Sequence, residues 1–145
     1  MIRRLIILLL IVGCDLLQEE DCAGVAGGNA VIDCAGKCRE NVELWGDCYN
    51  MKETTILNLS NSGLTGEIPH EIGSLTNLTF LGLSNNQLTG EIPSRIGNLT
   101  NLTFLDLSDN QFIGGIPSKV CDLIESNNLN ILNITSGNNF TNTCY

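Results

Sequence analysis

Leu78 to Asn101 reads LTFLGLSNNQLTGEIPSRIGNLTN, and the next stretch, from Leu102, reads LTFLDLSDNQFIGGIPSKVCDLIE. The stretch before, from Thr54, reads TTILNLSNSGLTGEIPHEIGSLTN. Pro69, Pro93 and Pro117 recur every 24 residues, as do Gly66, Gly90 and Gly114. A degenerate fourth unit, LNILNITSGNNF, begins at Leu129. Copies this close at a fixed period mark a repeat architecture. One unit cannot bury its own leucines, so each must stack on its neighbour.

Each segment of the unit has a physical reading. Phe80-Leu81-Gly82-Leu83-Ser84 alternates as a strand does, with Leu81 and Leu83 inward. Gly90 permits a tight turn at positive φ. Pro93 fixes φ and removes a donor, which suits a turn followed by a short helical or 3₁₀ piece. Ile96 and Leu99 then close the coil from the convex side.

This pattern resembles the leucine-rich-repeat family in its plant-type form, Leu-x-Gly-x-Ile-Pro, over residues 44–145. The resemblance implies an α/β fold, a short right-handed horseshoe of about four coils. A parallel β-sheet would line the concave face, opposite a mostly irregular or 3₁₀ convex side. It also implies that Asn86 and Asn110 hydrogen-bond turn backbone inside the coil. Ser62 holds that place in the first repeat, so the ladder is expected to start weaker there. Leu44-Trp45-Gly46-Asp47-Cys48 resembles the Trp-Gly-x-x-Cys end of plant-type N-terminal caps, one residue short. Trp45 is expected to cover the open leucines of the first repeat, contributing on the order of 2 to 3 kcal/mol.

The N-terminus reads as a targeting segment. Met1-Ile2-Arg3-Arg4 is a basic start, and Leu5 to Val12 is an unbroken aliphatic run, too short for a membrane span of about 20 residues. Ile11-Val12-Gly13-Cys14 resembles a bacterial lipobox. That resemblance implies a signal peptide over 1–13, cleavage before Cys14, a lipid on Cys14 and anchorage to a membrane. Asp15 resembles an inner-membrane retention signal, whereas Gln18-Glu19-Glu20-Asp21 resembles a surface-export tether. The two point to different membranes. Residues 14–43 read as an acidic Gly/Cys-rich tether, and residues 44–145 as the repeat domain with its caps.

The chain has seven cysteines. With Cys14 as lipid carrier, Cys22, Cys34, Cys38, Cys48, Cys121 and Cys144 remain, an even set that suggests disulfides in an exported protein. Locality favours Cys121–Cys144 closing the C-terminal end, with Cys22–Cys34 and Cys38–Cys48 the preferred arrangement of the rest. Residues 21–37, DCAGVAGGNAVIDCAGK, are too poor in large apolar side chains to bury much surface. They resemble the Asp-Cys-x-Gly-Val-x-Gly-Gly repeats of large exported bacterial proteins, with Ala26 where a further cysteine often stands. No metal is expected. The Cys34/Cys38 pair has no second close pair facing it, and Asp21, Asn29 and Asp33 lack EF-hand spacing.

The repeat frame gives the outward-facing columns of the sheet. The first is Ile56, Phe80, Phe104 and Ile131. The second is Asn58, Gly82, Asp106 and Asn133. The third is Ser60, Ser84, Ser108 and Thr135. An apolar stripe beside a polar column suits a protein or glycan ligand. Asn58, Asn77, Asn98, Asn101, Asn133 and Asn139 open N-x-S/T sequons.

Other classes find no support. The formal net charge is −9, which offers no footprint for nucleic acid. The single histidine, His70, falls at a solvent-facing position, and Glu67/Glu71 becomes Glu91/Arg95 and then Gly115/Lys119 in the following repeats. No cofactor and no catalysis are expected. The sequence therefore points to a monomeric, non-catalytic recognition module of the cell envelope or extracellular space, outside the cytoplasm. A structural or adhesive surface protein, or a fragment of a plant-like receptor or inhibitor, is the alternative.

Overall fold

A computed structural model describes residues 41–141 and Cys144. The signal segment, Cys14, Cys22, Cys34 and Cys38 lie outside the described residues. One compact unit begins at Val42.

The unit opens on a hairpin, β1 (Asn41–Leu44) and β2 (Asp47–Asn50). Its two-residue turn holds Trp45 at φ 49° and Gly46 at φ 92°, the left-handed pair that matches strand twist. Leu44 is wholly buried, and Trp45 is half-buried against the same core.

Three short strands follow at the repeat interval: β3 (Ile56–Asn58), β5 (Phe80–Gly82) and β7 (Phe104–Asp106). They pair in parallel in the order β3-β5-β7, with Ile56, Phe80 and Phe104 in register. Leu81 and Leu83 are fully buried, as the alternation requires, and so are Ile96 and Leu99 from the opposite side. The frame did not show a second parallel ladder, β4 (Thr65–Gly66) with β6 (Gln87–Leu88). Bonds from Gln111 N to Leu88 O (2.8 Å) and from Thr141 N to Gly114 O (2.8 Å) carry the same pattern through the later units.

Later in each unit, Pro69 and Pro93 precede 3₁₀ helices, His70–Ser74 and Ser94–Asn98. Pro117 precedes a true α-helix, α1 (Ser118–Ser126). These pieces stack closely because glycine stands at the contact. A Cβ on Gly97 would sit 2.6 Å from the Lys119 carbonyl oxygen. Gly90 has φ 77°, so the tight turn expected there is formed.

The fourth unit departs from the frame. Residues 132–135 form a short helix, α2 (Leu132–Thr135), in place of a strand. Ile131, Asn133 and Thr135 therefore do not extend the outward columns. Leu132 is 63% exposed and Ile134 is buried. The edge of β7 is still satisfied, because Leu107 N and Asp109 N donate to the carbonyls of Asn133 (2.8 Å) and Ser136 (2.9 Å). A helical turn that accepts these bonds ends the sheet without presenting another open edge. The Cys121–Cys144 disulfide ties α1 to the last residues, with Cα atoms 5.4 Å apart. Cys48 is also disulfide-bonded.

The inward asparagines reach backward. Asn86 Nδ2 donates to the carbonyls of Leu59 (2.9 Å) and Leu83 (2.9 Å), while its Oδ1 accepts from Ser62 N (3.1 Å) and Leu64 N (3.0 Å). Asn110 does the same for the turn before it, accepting from Leu88 N at 3.0 Å and donating to Leu83 O at 2.9 Å. The first repeat's turn is thus held by the asparagine of the second, and Ser62 contributes its backbone N–H. Asn110 is buried, and its removal would strand several buried backbone groups, each costing about 1–3 kcal/mol. Asn110→Ala should lower unfolding free energy by about 3 kcal/mol in urea titration, whereas Ser62→Ala should leave it within about 0.5 kcal/mol.

In the cap, burial raises the Tyr49 phenol above its usual value of 10.0, and the Asp47 carboxylate adds to this. A raised folded value favours the neutral phenol. That stabilising contribution is present below the unfolded pKa and is lost as pH rises through the folded one. Alkaline difference absorbance should show one tyrosine ionising late, and Tyr49→Phe should remove that phase.

Candidate functional site

The outward side of β3-β5-β7 carries the residues that the frame singles out. Phe80 and Phe104 stack with ring centroids 4.5 Å apart and planes 6° from parallel. Ile56, beside them in register, is 65% exposed. Parallel pairing puts identical positions side by side about 4.8 Å apart, so two phenyl rings at one position must meet face to face. The result is a continuous apolar stripe across three strands.

The polar columns are less open than the frame suggests. Ser84 is 7% exposed, and its hydroxyl donates to Ser60 Oγ at 3.1 Å. Gly82 is buried, because a Cβ there would meet Asn58 Oδ1 at 2.9 Å and Ser60 Oγ at 3.0 Å. Neither presents a side chain to a ligand. Asn58 is exposed and accepts from Ser60 N at 3.2 Å. Asp106 is half-buried, and its Oδ1 accepts from both Ser108 N (3.1 Å) and Ser108 Oγ (2.7 Å). The accessible set is Ile56, Asn58, Phe80, Phe104 and Asp106, with Ser60 and Ser108 occupied by their own bonds.

One further column escaped the sequence reading. Asn61, Asn85 and Asp109 follow the three serines, are exposed, and have φ of 59°, 54° and 53°. Their signal was available, because Asn and Asp tolerate the left-handed region that this turn requires. Two sequon asparagines also have structural roles. The Asn77 and Asn101 amides donate to the carbonyls of Lys52 (2.8 Å) and Thr76 (2.9 Å) in the preceding coil.

A depression lies elsewhere, on the proline side of the coils. It is an open groove of about 620 Å³ bordered by Glu67, Pro69, Glu91, Pro93, Ile113 and Pro117. His70 lines it too, 63% exposed and 3.0 Å from Glu71 Oε1. The groove's Glu67/Glu91 and Pro69/Pro93/Pro117 come from equivalent positions of successive coils, whereas His70 is replaced by Ser94 and Ser118. Among the described residues no three His, Cys, Asp or Glu side chains converge as metal ligands. No described helix is long and apolar enough to cross a membrane.

Comparison with known proteins agrees with this geometry. A family model described as Leucine Rich repeats (2 copies) matches residues 76–120, and one described as Leucine Rich Repeat matches residues 53–75. The two matches run end to end over residues 53–120. The chain is similar to the LRR ectodomain of the receptor kinase SOBIR1 from Arabidopsis thaliana, with 40% identity and a TM-score of 0.51, covering 58% of this chain and 44% of that one. It is also similar to PEPR1–AtPEP1, with 44% identity over 51% of this chain and 10% of that one, at a TM-score of 0.49. A plant ice-binding protein shows 35% identity over 54% of this chain and 24% of that one, at a TM-score of 0.47. The chain spans less than half the length of each of these structures. No curated protein matches it.

Proposed function

We propose that this protein is a non-catalytic recognition module that binds a protein or carbohydrate ligand through the concave face of its sheet. The observation that carries the reading is the exposed stripe of Ile56, Phe80 and Phe104. Every large side chain on the other side of these strands is packed into the core. An aromatic stack left on the open side has surface to give to a partner, and aromatic anchors dominate most interfaces. The likeness to a receptor ectodomain from Arabidopsis supports the same reading.

The module belongs to the cell envelope in this proposal, held by acyl chains on Cys14. Several chains anchor stably where one anchors only marginally. Intact-mass measurement of the membrane fraction should show a lipid-sized increment that Cys14→Ser abolishes; an unmodified, freely secreted product would rule out the anchor.

For the face itself, the test is a cross-linked pull-down with the full chain beside its Phe80→Ala/Phe104→Ala variant. Loss of two aromatic anchors should reduce partner recovery by about 10-fold or more, with circular dichroism confirming that the variant is folded. Equal recovery of the same partners would exclude the concave site.

A further inference from the structure

We infer that the Cys121–Cys144 disulfide is a redox latch on the last coil. Its reduction releases residues 127–144, opens the outer edge of β7 and leaves the earlier coils folded.

The last coil buries little. The second unit (78–101) sinks five leucines and two isoleucines into the core. Among the described residues of 127–144 only Leu129 and Ile134 are buried hydrophobics, while Ile131 and Phe140 are half-buried and Leu132 is 63% exposed. Apolar stabilisation scales with the area withdrawn from water, whereas the cost of ordering scales with the number of residues fixed. Two buried side chains do not offset that cost as seven do. The polar holds on this coil run back to the third one. Leu107 N and Asp109 N donate to the carbonyls of Asn133 and Ser136, and Thr141 N and Oγ1 donate to Gly114 O at 2.8 and 3.0 Å. The Phe140 ring stacks on Phe112 with centroids 6.3 Å apart.

The disulfide supplies what burial does not. It spans 23 residues, so the loop that it closes contains the whole coil. Its other end lies on α1, which Val120, Leu123 and Ile124 seat in the core. Closing a loop of this length removes much of the chain freedom that release would restore. Both cysteines are half-buried, so a dithiol reductant can reach them. A thiolate of the reductant attacks one Sγ and the Sγ–Sγ bond breaks. The reductant's second thiol then displaces the mixed disulfide. Two cysteine thiols form, and the dithiol leaves as a disulfide, having given up two electrons and two protons.

The ladder asparagines set where opening stops. Asn138 serves the third turn, accepting from Phe112 N at 3.2 Å and donating to Leu107 O at 2.9 Å. Its departure frees that turn alone. Asn110 reaches back to Leu83 O and Leu88 N, so the second turn stays closed. The N–H groups of Leu107 and Asp109 then face water along β7, an edge able to pair with another strand.

The test follows hydrogen–deuterium exchange in the full chain, oxidised and after dithiothreitol. Reduction should speed exchange at Leu107 and Asp109 by about 100-fold, because their protection then requires only the last coil to open. Leu83 and Asn85, which make the same bonds between the second and third coils, should stay protected. Reoxidation should restore the original pattern. Cys121→Ser/Cys144→Ser should reproduce the reduced pattern while Cys48 keeps its disulfide. Unchanged protection at Leu107 and Asp109 after reduction would overturn the latch. So would deprotection at Leu83 and Asn85 as well, because the disulfide would then hold the whole domain. A reduced wild type that opens beside a serine variant that stays closed would assign the effect to the Cys48 disulfide and refute the proposal.

Discussion

The carboxamides of Asn86, Asn110 and Asn138 hold the turn that follows each strand, and the stacking of coils depends on them. At that turn the chain passes through a left-handed residue and leaves carbonyl and N–H groups facing an interior of leucines. Buried backbone groups without partners are costly, so something must satisfy them. An asparagine side chain can donate and accept at once, and each of these three does both. Because each also bonds to the preceding coil, a turn is satisfied only when the next coil is in place. That couples neighbours in a way leucine packing alone does not, since apolar contact has no preferred partner atom.

Much of this was legible in the sequence because a repeat states its rule several times. The inward leucines, the Gly90 turn, the proline-led helical pieces and the Cys121–Cys144 closure all follow from period and locality. Legibility ended where the period did. From Asn86 to Asn110 the interval is 24 residues, whereas from Asn110 to Asn138 it is 28. Counted from Leu129 as Asn110 is from Leu102, the ladder position would fall on Gly137, whereas Asn138 occupies it. The additional residues are taken up around α2, which accepts the edge bonds of β7 in helical form. Alternation in Ile131-Leu132-Asn133-Ile134 reads as a strand, but tertiary context outweighs so short a pattern.

The face was legible in outline and less so in its accessibility. Column positions follow from the strand period alone. Which members of a column meet solvent depends on their neighbours in the adjacent coils. Gly82 is covered by the side chains of Asn58 and Ser60, and Ser84 is shielded where it bonds to Ser60. A parallel in-register sheet makes such lateral coverage systematic, because each side chain has a similar one beside it about 4.8 Å away. Small residues between larger ones are then buried even on an outward face. Phe80 and Phe104 escape this because two flat rings can stack and still expose their edges.

That division of labour explains how a chain of near-copies can carry a specific surface. The core residues and ladder asparagines are bound by contacts to the coils on either side, so a change at one of them is felt by its neighbours. Outward residues on the strands answer instead to the like positions beside them, as Gly82 does to Asn58 and Ser60. In the first nine residues of the second and third repeats, the differences are Gly82/Asp106 on the outward side of the strand and Asn85/Asp109 at the left-handed turn position. The scaffold fixes where those side chains stand, and contacts from the adjacent coils decide which of them solvent reaches.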